Sequence, residues 1–171
     1  MNIRLPSAFA LLLASFLLAA CSPKYNWRDY ASPDAPYRVM FPAKPASFTR
    51  TIDLDGMQVS MTMTAADVDG TTFAVGSAEA PDEARAQAAL AAMQEALVRN
   101  IGATVSSQKD AATPGKASRD VEASGSARGA PVRLVGHFEA RGKRFYQVIV
   151  LGKADAMPAE QVEQFLTSFK P

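Results

Sequence analysis

The stretch Phe145-Tyr146-Gln147-Val148-Ile149-Val150-Leu151 constrains the fold more than any other. In a strand, successive side chains point to opposite faces. Here Phe145, Ile149 and Leu151 point one way, and Tyr146, Val148 and Val150 the other. A strand with bulky apolar groups on both sides has to be covered on both sides. The sequence thus predicts a central strand in a sheet packed on each face.

The segments before it supply neighbours for that strand. Tyr37 to Phe41 has a period of two and is stopped by Pro42 and Pro45, and a second strand is expected from Ser47 to Leu54. Met57 to Thr64 alternates, with apolar side chains at the odd positions, the pattern of a strand with one buried face. Asp55-Gly56 and Asp69-Gly70 suit type I′ turns, whose central residues need positive φ. With Thr71 to Ala78 these segments predict an antiparallel meander.

Asp82 can cap a helix that runs to Ile101, followed by Gly102 as C-terminal cap. Leu90, Met93, Leu97, Val98 and Ile101 form its apolar stripe. Thr104 to Gln108 reads as a short strand, and Lys116 to Ser124 as an edge strand. Arg128-Gly129 and Arg141-Gly142 bracket a strand from Pro131 to Glu139. A last helix starts at Pro158 and places Val162, Phe165, Leu166 and Phe169 on one stripe. The expected class is α+β: an antiparallel β-sheet sandwiched by helices.

The N-terminal segment carries a different signal. Arg4 is followed by a short apolar core, Ala8 to Leu18, and then by small residues before Cys21. That core is shorter than the roughly 20 apolar residues that cross a bilayer. Leu18-Ala19-Ala20-Cys21 resembles the lipobox of bacterial lipoproteins, in which the cysteine is acylated and becomes the first residue after cleavage. Cys21 is the sole cysteine, so lipidation also accounts for what would be an unpaired thiol in an exported chain. A single acyl chain binds membranes only marginally, and several together hold a protein there. Ser22 after the cysteine is compatible, in lipoproteins with such a leader, with transfer to the outer membrane.

This reading divides the chain into a signal peptide (residues 1–20), a lipidated N-terminus and tether (21–36) and one α+β domain (37–171). The tether holds Tyr25, Trp27 and Tyr30, too many large rings for a plain spacer. Trp27 and Tyr30 are expected to dock on the domain; the other place for such rings is the headgroup region of a bilayer. Without residues 1–20, the chain has 17 Lys and Arg against 17 Asp and Glu. That balance offers no electrostatic footprint for nucleic acid.

Reactive constellations are scarce. His137 is the sole histidine, without a nucleophile motif such as G-x-S-x-G, and reads as an exposed or edge-strand residue. Single glycines at turns make no phosphate loop. Asp53, Asp55, Asp67 and Asp69 sit where turns favour acids. Met57, Met61 and Met63 share one strand face; soft thioethers suit Cu(I), but core packing is the expected role. Arg141-Gly142-Lys143-Arg144 is the densest basic run and reads as a solvated hairpin tip, with anionic headgroups or a protein as possible contacts. Neither a cofactor, a metal nor an enzymatic activity is expected.

Three segments in this order resemble a family. They are Tyr37-Arg38-Val39-Met40-Phe41-Pro42-Ala43-Lys44-Pro45, then Lys143 to Gly152 with its Arg144-Phe145-Tyr146-Gln147, and Gln164-Phe165-Leu166-Thr167-Ser168-Phe169. Together they look like PsbP/DcrB-like bacterial lipoproteins. The resemblance implies a PsbP-like α/β/α sandwich and transfers no catalytic residue. With the lipobox and Ser22, the expected function is that of a lipoprotein on the periplasmic face of the outer membrane, anchored through Cys21. The domain would then serve a non-catalytic, protein-interaction or accessory role with envelope proteins. The second reading is a binding module for a small apolar or lipidic ligand.

Overall fold

The computed structural model describes residues 23–127 and 129–171. Nine strands and two helices follow the chain order β1 (Arg28–Ala31), β2 (Arg38–Phe41), β3 (Ala46–Leu54), β4 (Met57–Val68), β5 (Thr71–Glu79), α1 (Glu83–Asn100), β6 (Ala103–Thr113), β7 (Lys116–Ala127), β8 (Ala130–Arg141), β9 (Arg144–Lys153) and α2 (Ala159–Ser168). A 3-10 turn, Ala154–Ala156, joins β9 to α2. Seven strands form one sheet in the order β3-β4-β5-β9-β8-β7-β6, with every neighbour antiparallel. β1 and β2 form a separate hairpin. The class is α+β with an antiparallel sheet.

β9 is the middle strand of the seven, as its two apolar faces require. Phe145 and Ile149 belong to a core on the α1 side, with Leu134, Phe138, Leu90 and Met93. Tyr146, Val148 and Val150 belong to a second core on the other side, with Phe41, Phe73, Phe165 and Phe169. That second layer is made jointly by α2 and the β1–β2 hairpin.

Local chemistry sets the element ends. Asp82 accepts a hydrogen bond from the Arg85 N–H at 2.8 Å, satisfying a first-turn donor of α1. Gly102 follows the helix at φ +58, the left-handed region that glycine enters without steric cost. Asp55-Gly56 and Asp69-Gly70 have φ of 54, 81, 49 and 78, the double positive φ of type I′ turns. At Gly125 a Cβ would lie 2.6 Å from the Cα of Ala103, so the approach of β6 to β7 requires glycine there.

Three expectations differ from the structure. Residues 28–31, within the segment read as a tether, form β1; Trp27 and Tyr30 pack on the second core, as expected. Lys116 to Ser124 is no edge: β7 runs to Ala127 between β8 and β6. The edge on that side of the sheet is β6, longer than the Thr104–Gln108 read for it. Most of β6 is exposed on both faces, so no hydrophobic alternation marked its length.

Phe165 is fully buried, with ring centroids 5.4 Å from both Phe41 and Phe73. Phe165→Ala should cost about 3–5 kcal/mol in urea unfolding, from lost burial plus the cavity left behind. A loss below about 1 kcal/mol would show that α2 contributes little to the core.

Candidate functional site

Leu18, Ala19, Ala20 and Cys21 lie outside the described residues. Immediately after them the chain is held at one end of the sheet. Lys24 Nζ pairs with Asp69 at 3.0 Å and lies 5.5 Å from the Tyr25 ring centroid. This hydrogen bond raises the Lys24 pKa above the usual lysine value. Tyr25 stacks on Trp27, and both set their rings edge-on to Phe73, at 6.5 and 6.2 Å. The Asn26 N–H donates to Pro42 O at 2.8 Å, and the Trp27 indole N–H donates to Gln161 Oε1 at 3.2 Å. The rings therefore pack on the domain.

The densest polar cluster lies on the α2 side of β7 and β8, beyond the end of α2. Alternation on β8 brings Arg133, His137 and Glu139 to this face, and the β7 register sets Ser124, Asp120 and Ser118 opposite them. Glu139 is the buried member. Its carboxylate accepts from the Arg141 guanidinium, from His137 Nε2 at 3.2 Å and from Lys116 Nζ at 3.3 Å. His137 Nδ1 meets Asp120 Oδ1 at 2.6 Å. Arg133 pairs with Glu122 at 2.9 Å. Burial pushes the Glu139 pKa up, but the hydrogen bonds from Arg141 and His137 outweigh it and leave the carboxyl below the usual glutamate range.

His137 is therefore neither exposed nor on an edge strand, as the sequence suggested. Its side chain is 24% exposed on an interior strand, and its ring lies 6.4 Å from that of Phe169. Both ring nitrogens face carboxylates. Neither nitrogen has a serine hydroxyl as its hydrogen-bond partner, the contact on which a serine-type triad depends. Among the described residues, no three His, Cys, Asp or Glu side chains are arranged to hold a metal ion. Glu139 is instead balanced by fixed cations.

A second network was not legible in the sequence. Gln94 of α1 is buried, accepts from Arg119 at 2.8 Å and donates to Gln108 at 3.0 Å. Arg119 also holds Asp110 through two 2.8 Å hydrogen bonds, which lower the Asp110 pKa. A glutamine between Leu90 and Val98, at helical spacing, was the visible sign. Its partners are set only by the β6–β7 register.

The other sequence candidates resolve into packing and turns. Met57 and Met61 are buried in the α1-side core, and Met63 accepts from Gln147 Nε2 at 3.4 Å. Asp53 accepts from the Gly56 N–H at 2.7 Å, closing its own turn. Arg141 and Arg144 pair with Glu139 and Glu79, so the basic hairpin tip is partly neutralised. A depression of about 250 Å³ lies between α1 and the β3–β4 turn, lined by Leu54, Met57, Ala88, Ala89 and Ala92, with Arg85 and Asp55 at its polar side. No described helix is long and apolar enough to cross a membrane. The chain matches no protein-family model and no curated protein sequence.

Glu139 contributes stability above its unfolded pKa, and that contribution is lost as pH falls through its lower folded value. Glu139→Gln should destabilise the chain by about 1–3 kcal/mol at neutral pH. Urea unfolding across pH should show the gap to wild type closing on acidification. A gap independent of pH would mean that charge pairing is not what Glu139 provides.

Proposed function

We propose that the chain is a bacterial envelope lipoprotein with a PsbP/DcrB-like α/β/α sandwich, anchored through acyl chains on Cys21 and carrying a non-catalytic domain that engages other envelope proteins. The observation that carries this reading is Leu18-Ala19-Ala20-Cys21 at the end of a short apolar run. The arrangement of the next residues supports it. A chain held at Lys24 leaves almost no free length between a lipid on Cys21 and the folded domain. The periplasmic face of the outer membrane follows from Ser22, on the sorting pattern of lipoproteins with such leaders.

The interaction role rests on the edges of the sheet. β3 exposes its backbone along nine residues in regular register, and unpaired edges are where extended partner segments add. Phe48, 53% exposed on that strand, is the exposed large hydrophobic side chain among the described residues. A partner would thus be recognised by backbone pairing around one ring, not by a broad apolar patch. The ligand reading has less support. The depression beside α1 holds about 250 Å³, and a roomier one of about 610 Å³ beside α2 is lined mainly by polar and charged side chains, Asp29, Arg38, Gln164, Thr167, Ser168 and Lys170, where a small apolar ligand wants an apolar lining.

Cys21→Ser should abolish incorporation of a labelled fatty acid and move the chain out of the membrane fraction. Equal labelling and equal membrane recovery of the variant and wild type would overturn the anchoring.

A further inference from the structure

We infer that the end of the sheet bearing the β4–β5 turn faces the lipid surface, and that the β8–β9 hairpin tip stands off on the far side of the domain. This rests on the anchoring of Cys21 proposed above. The short free length sets the first half. From Cys21 to Lys24 there are three Cα–Cα links, a reach of about 11 Å at full extension. Lys24 is paired to Asp69 in the β4–β5 turn, and Tyr25 and Trp27 are stacked against Phe73 of β5. The membrane attachment therefore lies close to that turn.

Strand register sets the second half. Thr72 pairs with Leu151 and Glu79 with Arg144, so the β4–β5 turn lies at the C-terminal end of β9. The 3-10 turn Ala154–Ala156 is at this same end, where Thr71 donates to Ala156 O. Val132 pairs with both Lys153 and Gly125, and Gly125 with Ala103, which brings the start of β6 and the end of α1 there as well. Arg141-Gly142-Lys143-Arg144 closes the opposite end of β9. Ten residues of β9 separate the two ends, about 30 Å at 3.3 Å per residue.

Nothing on the sides of the sheet favours a domain lying flat. The open half of the α2-side face is a set of paired charges, Arg133 with Glu122, His137 with Asp120, and Glu139 with Arg141 and Lys116. Phe48 is the one large hydrophobic side chain exposed among the described residues, too little apolar surface to hold a face in the headgroups. The domain stands with its strands along the bilayer normal. The Arg141–Arg144 tip then cannot contact the headgroups of the membrane that anchors it.

The test uses the full chain reconstituted in vesicles of phosphatidylethanolamine and phosphatidylglycerol that carry a nitroxide on the headgroup. Asp155→Cys and Lys143→Cys, both exposed turn positions at opposite ends, are labelled with a maleimide fluorophore, with Ala154→Cys as a second probe of the near end. Several-fold stronger quenching at positions 154 and 155 than at 143 is expected. Equal quenching, or the reverse order, overturns the orientation. Wild type separates this from the anchoring itself, because a thioether-acylated Cys21 takes up no maleimide. A wild-type chain that labels at Cys21 and fails to bind the vesicles would overturn the anchoring, and the orientation with it.

Discussion

The burial of β9 on both faces is the constraint on which the other elements depend. Phe145 and Ile149 require a layer on one side, and Tyr146, Val148 and Val150 require one on the other. α1 answers the first demand with small side chains, Ala86 and Ala89, that bring it close to the sheet. α2 answers the second only in part, since it has ten residues. The β1–β2 hairpin fills the remainder, with Phe41 and Tyr30 set against each other edge to face at 5.5 Å. Residues 25–41 are thus structural members of the domain.

Polar groups meet the same demand for closure. Among the described residues, no buried side-chain nitrogen or oxygen lacks a hydrogen-bond partner. Gln94 would otherwise be an unpaired amide under α1, at a cost of about 1–3 kcal/mol. Glu139 would be a buried carboxylate without a counter-charge, which is costlier. Gln94 is satisfied by Arg119 and Gln108 of the strands beneath it, and Glu139 by His137 and Arg141 of its own strand with Lys116 of β7. These clusters tie α1 to the β6–β7 pair and β7 to β8.

The aromatic strap connects location to fold. Tyr25 and Trp27 rest on Phe73, which meets Phe165 at 5.4 Å. A lipid on Cys21 would therefore be coupled to the core through a few stacked rings. The height and tilt of the domain above a membrane would follow from those contacts and from the direction of the strands.

The sequence by itself determined the two-faced central strand, the Asp-Gly turns, the Asp82 cap and the stripe of α2. Each depends on residues near one another in the chain, where side-chain period and backbone φ speak directly. Leu18-Ala19-Ala20-Cys21 is likewise a local pattern, and the anchoring proposed from it concerns where the chain would reside and not what it does. Tertiary structure alone decided the rest. β6 and β7 took their lengths from pairing partners, since polar strands carry no hydrophobic signal. That Phe73, distant in sequence, would be the ring on which Trp27 docks was decided by the fold. His137 passed from a surface residue to the centre of a charge cluster, because register set Asp120 beside it. Contacts between residues far apart in the chain are fixed by strand order, and strand order is not written in any one segment.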